Sequence, residues 1–249
     1  VGELYLELHR GTLTSQHGTK AGNRRAEQAL IEAELWSATA AVRRGRPYPH
    51  DELDRLWERM LLHQFHDILP GTSIAWVHRE AVAVLAGVVV DARAIAEGAM
   101  RALAGEGTRE LVFSPSVAAG PAPLGAASPR AESDDVVLTE ESGGWRLENS
   151  VVSVLVSRDG LIVSALDRAT GRDAIPAGRP ANLLQLHQDF PNMWDAWDVD
   201  RFYRNRVEDL RGVDALDARI DADGVARVTV RRSFSESTLE QTLELAPGS

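Results

Sequence analysis

Three long amphipathic segments between residues 20 and 103 constrain this chain more than any other feature. From Lys20 to about Arg44 there are few breakers, and Ala26, Ala29, Leu30, Ala33, Leu35, Trp36 and Ala40 fall on one face of a helix. Gly45 and Pro47 stop it. A second helix starts after Pro49, with His50 or Asp51 as its cap and Leu53, Leu56, Trp57, Met60, Leu61 and Gln64 sharing a face. Pro70-Gly71 ends this run, and Thr72 or Ser73 is placed to cap a third helix from about Ile74 to Leu103, closed by Gly105 and Gly107. Its apolar positions include Val77, Ala81, Val84, Leu85, Val88, Ile95 and Leu103. Three such helices with short connections pack as a bundle.

The texture changes on either side. Leu4, Leu6 and Leu8 alternate with Tyr5, Glu7 and His9, which predicts a short strand running into the polar loop Arg10–Ser15. After residue 108, Leu111–Phe113 reads as a strand, and the Pro-, Ala- and Gly-rich stretch Ser114–Arg130 reads as a linker or irregular crossing. Short strands are predicted at Trp145–Leu147, Val151–Val156, Leu161–Leu166, Leu183–Leu186, Val225–Val230 and Thr238–Leu245. Turn signals stand between them at Arg158-Asp159-Gly160, Ala169–Arg172 and Ala222-Asp223-Gly224. The expected fold is a multi-domain α+β chain, a three-helix bundle followed by part of an antiparallel β-sandwich. A first residue other than Met and a last segment that follows directly on a strand give the chain the character of an excerpt.

Composition excludes several function classes. With 27 Lys plus Arg against 37 Asp plus Glu, the formal charge is −10, so there is no basic excess for neutralising a nucleic-acid backbone. The absence of cysteine removes disulfides, thiolate metal sites and a cysteine nucleophile. The strongest apolar run, Ala81–Val90, is about half the roughly 20 residues of a membrane-spanning helix, and no basic leader opens the chain. There is neither a GxSxG elbow nor a GxxxxGK[ST] loop.

Three clusters carry chemistry. In Leu62–Thr72, His63 and His66 lie three residues apart at a helix end, beside Asp67. This is a permissible metal-ligand spacing, and equally one that histidines favoured by the helix C-terminal dipole would show. In Asp189–Asp198, Trp194 and Trp197 alternate with Asp195 and Asp198. Such a loop offers sugars an aromatic face and hydroxyl acceptors, or else fills a seam between domains. Third, Arg10 at a strand end beside Gly11 either reaches a ligand or makes a structural ion pair. Nothing in the sequence sets Asp195 and Asp198 across a sugar from each other, so neither is assigned as nucleophile or acid.

Gly2–Thr12 resembles the segment that ends the catalytic barrel of glycoside hydrolase family 38, the zinc-dependent α-mannosidases. Asn23-Arg24-Arg25-Ala26-Glu27 and Gln64-Phe65-His66-Asp67-Ile68-Leu69-Pro70-Gly71-Thr72-Ser73-Ile74 resemble that family's three-helix middle domain. Leu147-Glu148-Asn149, Asp159-Gly160-Leu161-Ile162 and Pro191–Asp198 resemble the opening of its C-terminal β domain. The implied division is residues 1–16 as the end of the barrel, 17–108 as the middle domain and 109–249 as the first part of the β domain.

The resemblance implies an internal piece of an enzyme that hydrolyses terminal α-mannosides with retention, through a nucleophilic Asp and a second carboxyl acting as acid and base. It implies zinc as cofactor, with His66 as one ligand and Asp67 as a sugar contact, and leaves His63 the ordinary histidine. Arg10, Trp194 and Asp195 are the further substrate-side candidates. The family's early His-x-Asp zinc motif, its nucleophile and its acid/base have no counterpart in this chain. One imidazole of the four ligands zinc normally takes holds the metal too weakly, so the isolated chain is expected to be inactive. Its expected partners are an α-mannoside or oligosaccharide, the N-terminal catalytic domain and the rest of the β domain, with no nucleic acid and no membrane. Phe65–Gly71 is closer to the family's cytosolic and bacterial branch, which implies a cytoplasmic, bacterial protein. Two other readings stay open: a noncatalytic carbohydrate-binding or scaffold module, and a self-sufficient metal-binding protein using His63 and His66.

Overall fold

A computed structural model describes residues 8–116, 125–127 and 135–248. Of the strand expected at Leu4–His9, residues 4–7 lie outside them, and Leu8 and His9 are not in a strand, Leu8 being exposed with φ +62°. Two compact units are present. One holds the described residues up to 127 together with Asp189–Arg201; the other holds 135–188 and 202–248.

In the first unit α1 (His17–Arg44), α2 (His50–Leu62) and α3 (Ala75–Ala104) form the bundle. The apolar stripe of α1 turns inward as its spacing requires, burying Ala26, Ala29, Leu30, Ala33, Trp36 and Ala40. Against it pack Leu53, Leu56 and Met60 of α2 and Leu85, Val88, Ala92, Ala96 and Ala99 of α3. Leu61, predicted on the buried face of α2, is instead exposed. The helix starts also depart from expectation. The N-cap of α2 is Pro49 and that of α3 is Ile74, neither with a side-chain cap. Thr72 and Ser73 are engaged elsewhere, as described below. Phe113 of β1 (Val112–Ser114) meets Trp36 edge-on at 5.2 Å. Within the stretch read as a linker, β2 (Gly125–Ala127) pairs antiparallel with β1.

The second unit contains two antiparallel sheets and a short ribbon. β3 (Val137–Glu141), β4 (Gly144–Glu148), β5 (Val152–Ser157) and β6 (Ile162–Asp167) form one meander. The ribbon pairs β7 (Gln185–His187) with β8 (Val207–Asp209). The second meander comprises β9 (Ala215–Ile220), β10 (Ala226–Phe234) and β11 (Ser237–Leu245). Both meanders contribute to one core: Val136, Leu147 and Val156 from the first sheet and its approach, and Ala226, Val228, Val230 and Leu245 from the second. Period-two alternation decides this, since β10 turns Ala226, Val228 and Val230 inward and leaves Arg227, Thr229 and Arg231 on the other face. The three predicted turns fall between β5 and β6, directly after β6, and between β9 and β10. β3 and β9, which the sequence reading did not identify, are edge strands. Their charged residues weaken the apolar alternation and suit an exposed edge.

The outer face of β9–β11 carries an ion-pair ladder. Arg227 bonds Asp221, Asp223 and Glu244, and Arg231 bonds Glu240 directly opposite it. The hydrogen bonds of Arg227, aided by the Val225 amide, lower the Asp223 carboxyl from 3.8 to about 2. The folded pKa is depressed, so the pairing is fully present above pH 3.8 and is lost as pH falls toward about 2. Thermal melts between pH 5 and 2 are expected to show a steeper loss of Tm for the wild type than for Asp223→Asn, with the difference shrinking in high salt. Equal slopes would remove this pair from the acid response.

Candidate functional site

Beyond Leu62 the α2 helix unwinds through tight turns, the His63 amide bonding Met60 O and the Gln64 amide bonding Leu61 O. His63 is buried, with its Nδ1 2.7 Å from the Arg59 carbonyl oxygen. That contact assigns the proton to Nδ1 and makes His63 a structural histidine. His66 is the opposite: its side chain is 75% exposed, Nε2 lies 3.3 Å from Asp67 Oδ2, and its ring rests 4.1 Å from that of Phe65.

Asp67 gathers the following turn. The Thr72 hydroxyl lies 3.2 Å from both the carbonyl and Oδ1 of Asp67, and the Ser73 hydroxyl donates to the same carbonyl at 2.7 Å. Those two side chains therefore hold the turn rather than cap α3. Gly71 has φ +95°, and a Cβ there would sit 2.8 Å from both Cβ and O of Ser15. Only glycine combines that conformation with so close an approach. Two α1 residues reach the same segment: Lys20 Nζ donates to the carbonyls of Leu69 and Pro70, and Asn23 Oδ1 accepts from Gln64 Nε2 at 3.1 Å. Burial lowers the pKa of Lys20 from its ordinary value.

A second group lies in the same unit. The Gly11 amide donates to Trp197 O at 2.9 Å, and Arg10 grips Asp198 with Nε–Oδ1 2.9 Å and a second bond of 3.3 Å. The bond from Arg10, with help from the Val199 amide, holds the Asp198 carboxyl below its usual range. His9 meets Trp197 edge-on at 5.4 Å. Trp194 is 59% exposed with φ +61°, and its carbonyl accepts the amides of Trp197 and Asp198. Asp195 is exposed and accepts the Ala196 amide.

The candidates thus fall into two sets. His66 and Asp67 contact each other, Phe65, Thr72 and Ser73, whereas Arg10 pairs with Asp198 and stands with the loop bearing Trp194 and Asp195. Among the described residues, no three His, Asp or Glu side chains assemble into a metal-binding group. The sequence reading singled out neither Asp198 as the partner of Arg10 nor Lys20. Asn23 had one signal, its place in a family-like segment, and the structure joins that segment to the one containing His66 through the Gln64–Asn23 bond.

Comparison with known proteins finds similarity over both the helical and the β-rich parts. The alpha mannosidase middle domain matches residues 7–103, and the glycosyl hydrolases family 38 C-terminal domain matches residues 147–249. Human alpha-mannosidase 2C1 is 33% identical over 231 residues, covering 80% of this chain and 22% of that protein. The alpha-mannosidase of Saccharomyces cerevisiae is 32% identical over 224 residues, covering 83% of this chain and 20% of that one. The chain therefore spans about a fifth of the length of these relatives. A glycosyl hydrolase family 38 protein from Enterococcus faecalis superposes with a TM-score of 0.59 at 17% identity, over 93% of this chain and 38% of that one. An alpha-mannosidase from Enterococcus faecalis V583 gives 0.59 at 16% identity, over 89% and 35%. These structures show likeness of fold. With one family's domains matched in succession to the helical and the β-rich parts, and relatives about one-third identical across most of its length, the chain belongs to glycoside hydrolase family 38, the α-mannosidases.

Proposed function

We propose that this chain is part of a zinc-dependent retaining α-mannosidase that removes terminal α-mannosyl residues, and that it contributes His66 to the metal. The observation that carries this reading is the exposed His66 imidazole, presented beside Asp67 on a turn anchored at both ends to α1. An imidazole is a natural zinc donor, and the carboxylate at one ring nitrogen is the kind of neighbour that orients a ligating histidine. The donor set fits one coordination position and not a whole site, since no three-residue metal group exists among the described residues. The remaining ligands, the nucleophile and the acid/base carboxyl are assigned to the enzyme's catalytic domain. Zinc bound there supplies a Lewis-acid contact to sugar hydroxyls.

The chain's own residues bind and orient. Asp67 offers carboxylate oxygen to a sugar hydroxyl, and the exposed Trp194 indole offers an apolar face to sugar C–H groups, with Asp195 beside it as an acceptor. Arg10 holds that loop through Asp198. Without the catalytic domain this chain is inactive.

The test is hydrolysis of an aryl α-mannoside by the full-length enzyme and its His66→Ala variant in matched zinc. The variant is expected to lose bound zinc and to fall at least about a hundredfold in turnover. Retention of both would overturn the assignment.

A further inference from the structure

We propose that Lys20 is a positioning residue for the His66–Asp67 site, its ammonium joining the turn after Asp67 to the segment that follows Arg10 and Gly11. The site assignment rests on the function proposed above; the mechanical role does not. An ammonium has three N–H donors. Those of Lys20 go to Ser15 O at 2.6 Å, Leu69 O at 2.9 Å and Pro70 O at 2.9 Å. Among the described residues it has no carboxylate partner within 4 Å, so backbone oxygens alone satisfy the charge.

Those oxygens need it. Leu69 and Pro70 lie beyond α2, where no helical ladder continues, and no backbone amide among the described residues donates to either carbonyl. One turn further along α1, Asn23 binds Gln64 on the other side of His66. Lys20 and Asn23 therefore bracket the five residues Phe65–Leu69 from the same helix. The third bond, to Ser15, lies where Gly71 comes closest to the chain, and Ser15 in turn bonds Gly11 through its hydroxyl and amide. Gly11 carries the backbone bond to Trp197. One ammonium thus sets His66 and Asp67 against the Arg10–Gly11 segment that holds the Trp194–Asp198 loop. Arginine cannot replace it, because a planar fork does not point three donors at carbonyls gathered around one atom.

The absence of cysteine permits a clean chemical rescue. In this chain, Lys20→Met is expected to lower hydrogen-exchange protection of the Ile68, Leu69 and Gly71 amides at least about tenfold while leaving Leu85 and Val88 in α3 unchanged. Lys20→Cys alkylated with bromoethylamine, which rebuilds a terminal ammonium, is expected to restore protection; alkylation with iodoacetamide is not. Unchanged turn amides, equal loss in α3, or equal recovery with both reagents would each overturn the role. In the full-length enzyme, Lys20→Met is expected to weaken zinc retention about tenfold or more, the scale seen when a supporting contact behind a ligand is lost. Loosened turn amides with unaltered zinc retention would overturn the positioning of the site. Failure of the function itself would be read separately, as His66→Ala retaining its zinc and turnover.

Discussion

Gly144→Ala is expected to unfold the β-rich unit while leaving the helical bundle folded. Gly144 opens β4 at φ +149°, opposite Ser157 of β5. A Cβ at that position would lie 1.9 Å from the carbonyl oxygen of Val156 and 2.8 Å from Cα of Ser157. Both are backbone atoms, so no side-chain rotation relieves the overlap and the β4–β5 pairing must open. The neighbouring Leu147 and Val156 belong to the core that the two sheets share, and the disturbance reaches them within one strand. A cost of about 4 kcal/mol or more follows from combining a glycine-only conformation with a main-chain collision. Calorimetry should show the β transition shifted down or lost, with the helical signal at 222 nm retained. A melt that coincides with the wild type would show that the hairpin accommodates the methyl group.

The second large effect is expected at Arg232, which is 2% exposed on the inner face of β10. Its guanidinium donates to the carbonyls of Arg211, Gly212 and Asp159, and its Nε is buried without a partner among the described residues. Arg232→Met would keep much of the volume and remove a desolvated charge, which by itself favours the variant. It would also take the charged donor from carbonyls of three exposed residues, Arg211, Gly212 and Asp159, at about 1.5–3 kcal/mol for each bond that water does not replace. The second contribution is the larger, and a net loss of about 2–4 kcal/mol is expected from urea denaturation. A variant as stable as the wild type would mean that water replaces the guanidinium at those carbonyls. The same packing makes Gly160 intolerant of a side chain, its Cβ position lying 2.7 Å from Val230 and 2.8 Å from the Arg232 guanidinium.

Legibility in the sequence followed the range of the interactions involved. The helices predicted from Lys20 to about Arg44 and from about Ile74 to Leu103 are observed as His17–Arg44 and Ala75–Ala104, because a long 3.6-residue period is a local pattern repeated many times. The turns at Arg158–Gly160 and Ala222–Gly224 were equally local. β3 and β9 were not seen, since an edge strand buries little and its alternation is correspondingly faint. The caps expected for α3 failed for another reason: Thr72 and Ser73 have capping chemistry, but Asp67 competes for their hydroxyls.

At the candidate site, spacing alone left His63 and His66 equivalent, and resemblance to a family separated them. In the fold the two differ in burial, one ring lying buried on the Arg59 carbonyl and the other exposed. By itself, then, the sequence determined the bundle, the antiparallel half and the segments that resemble the family. All of these are written in contiguous periodicities and short motifs. Only the tertiary structure decided that Arg10 pairs with Asp198, 188 residues away, and that Lys20 reaches carbonyls 49 and 50 residues on. Such partners depend on which surfaces the folded chain brings within about 3 Å, and no local pattern encodes that distance.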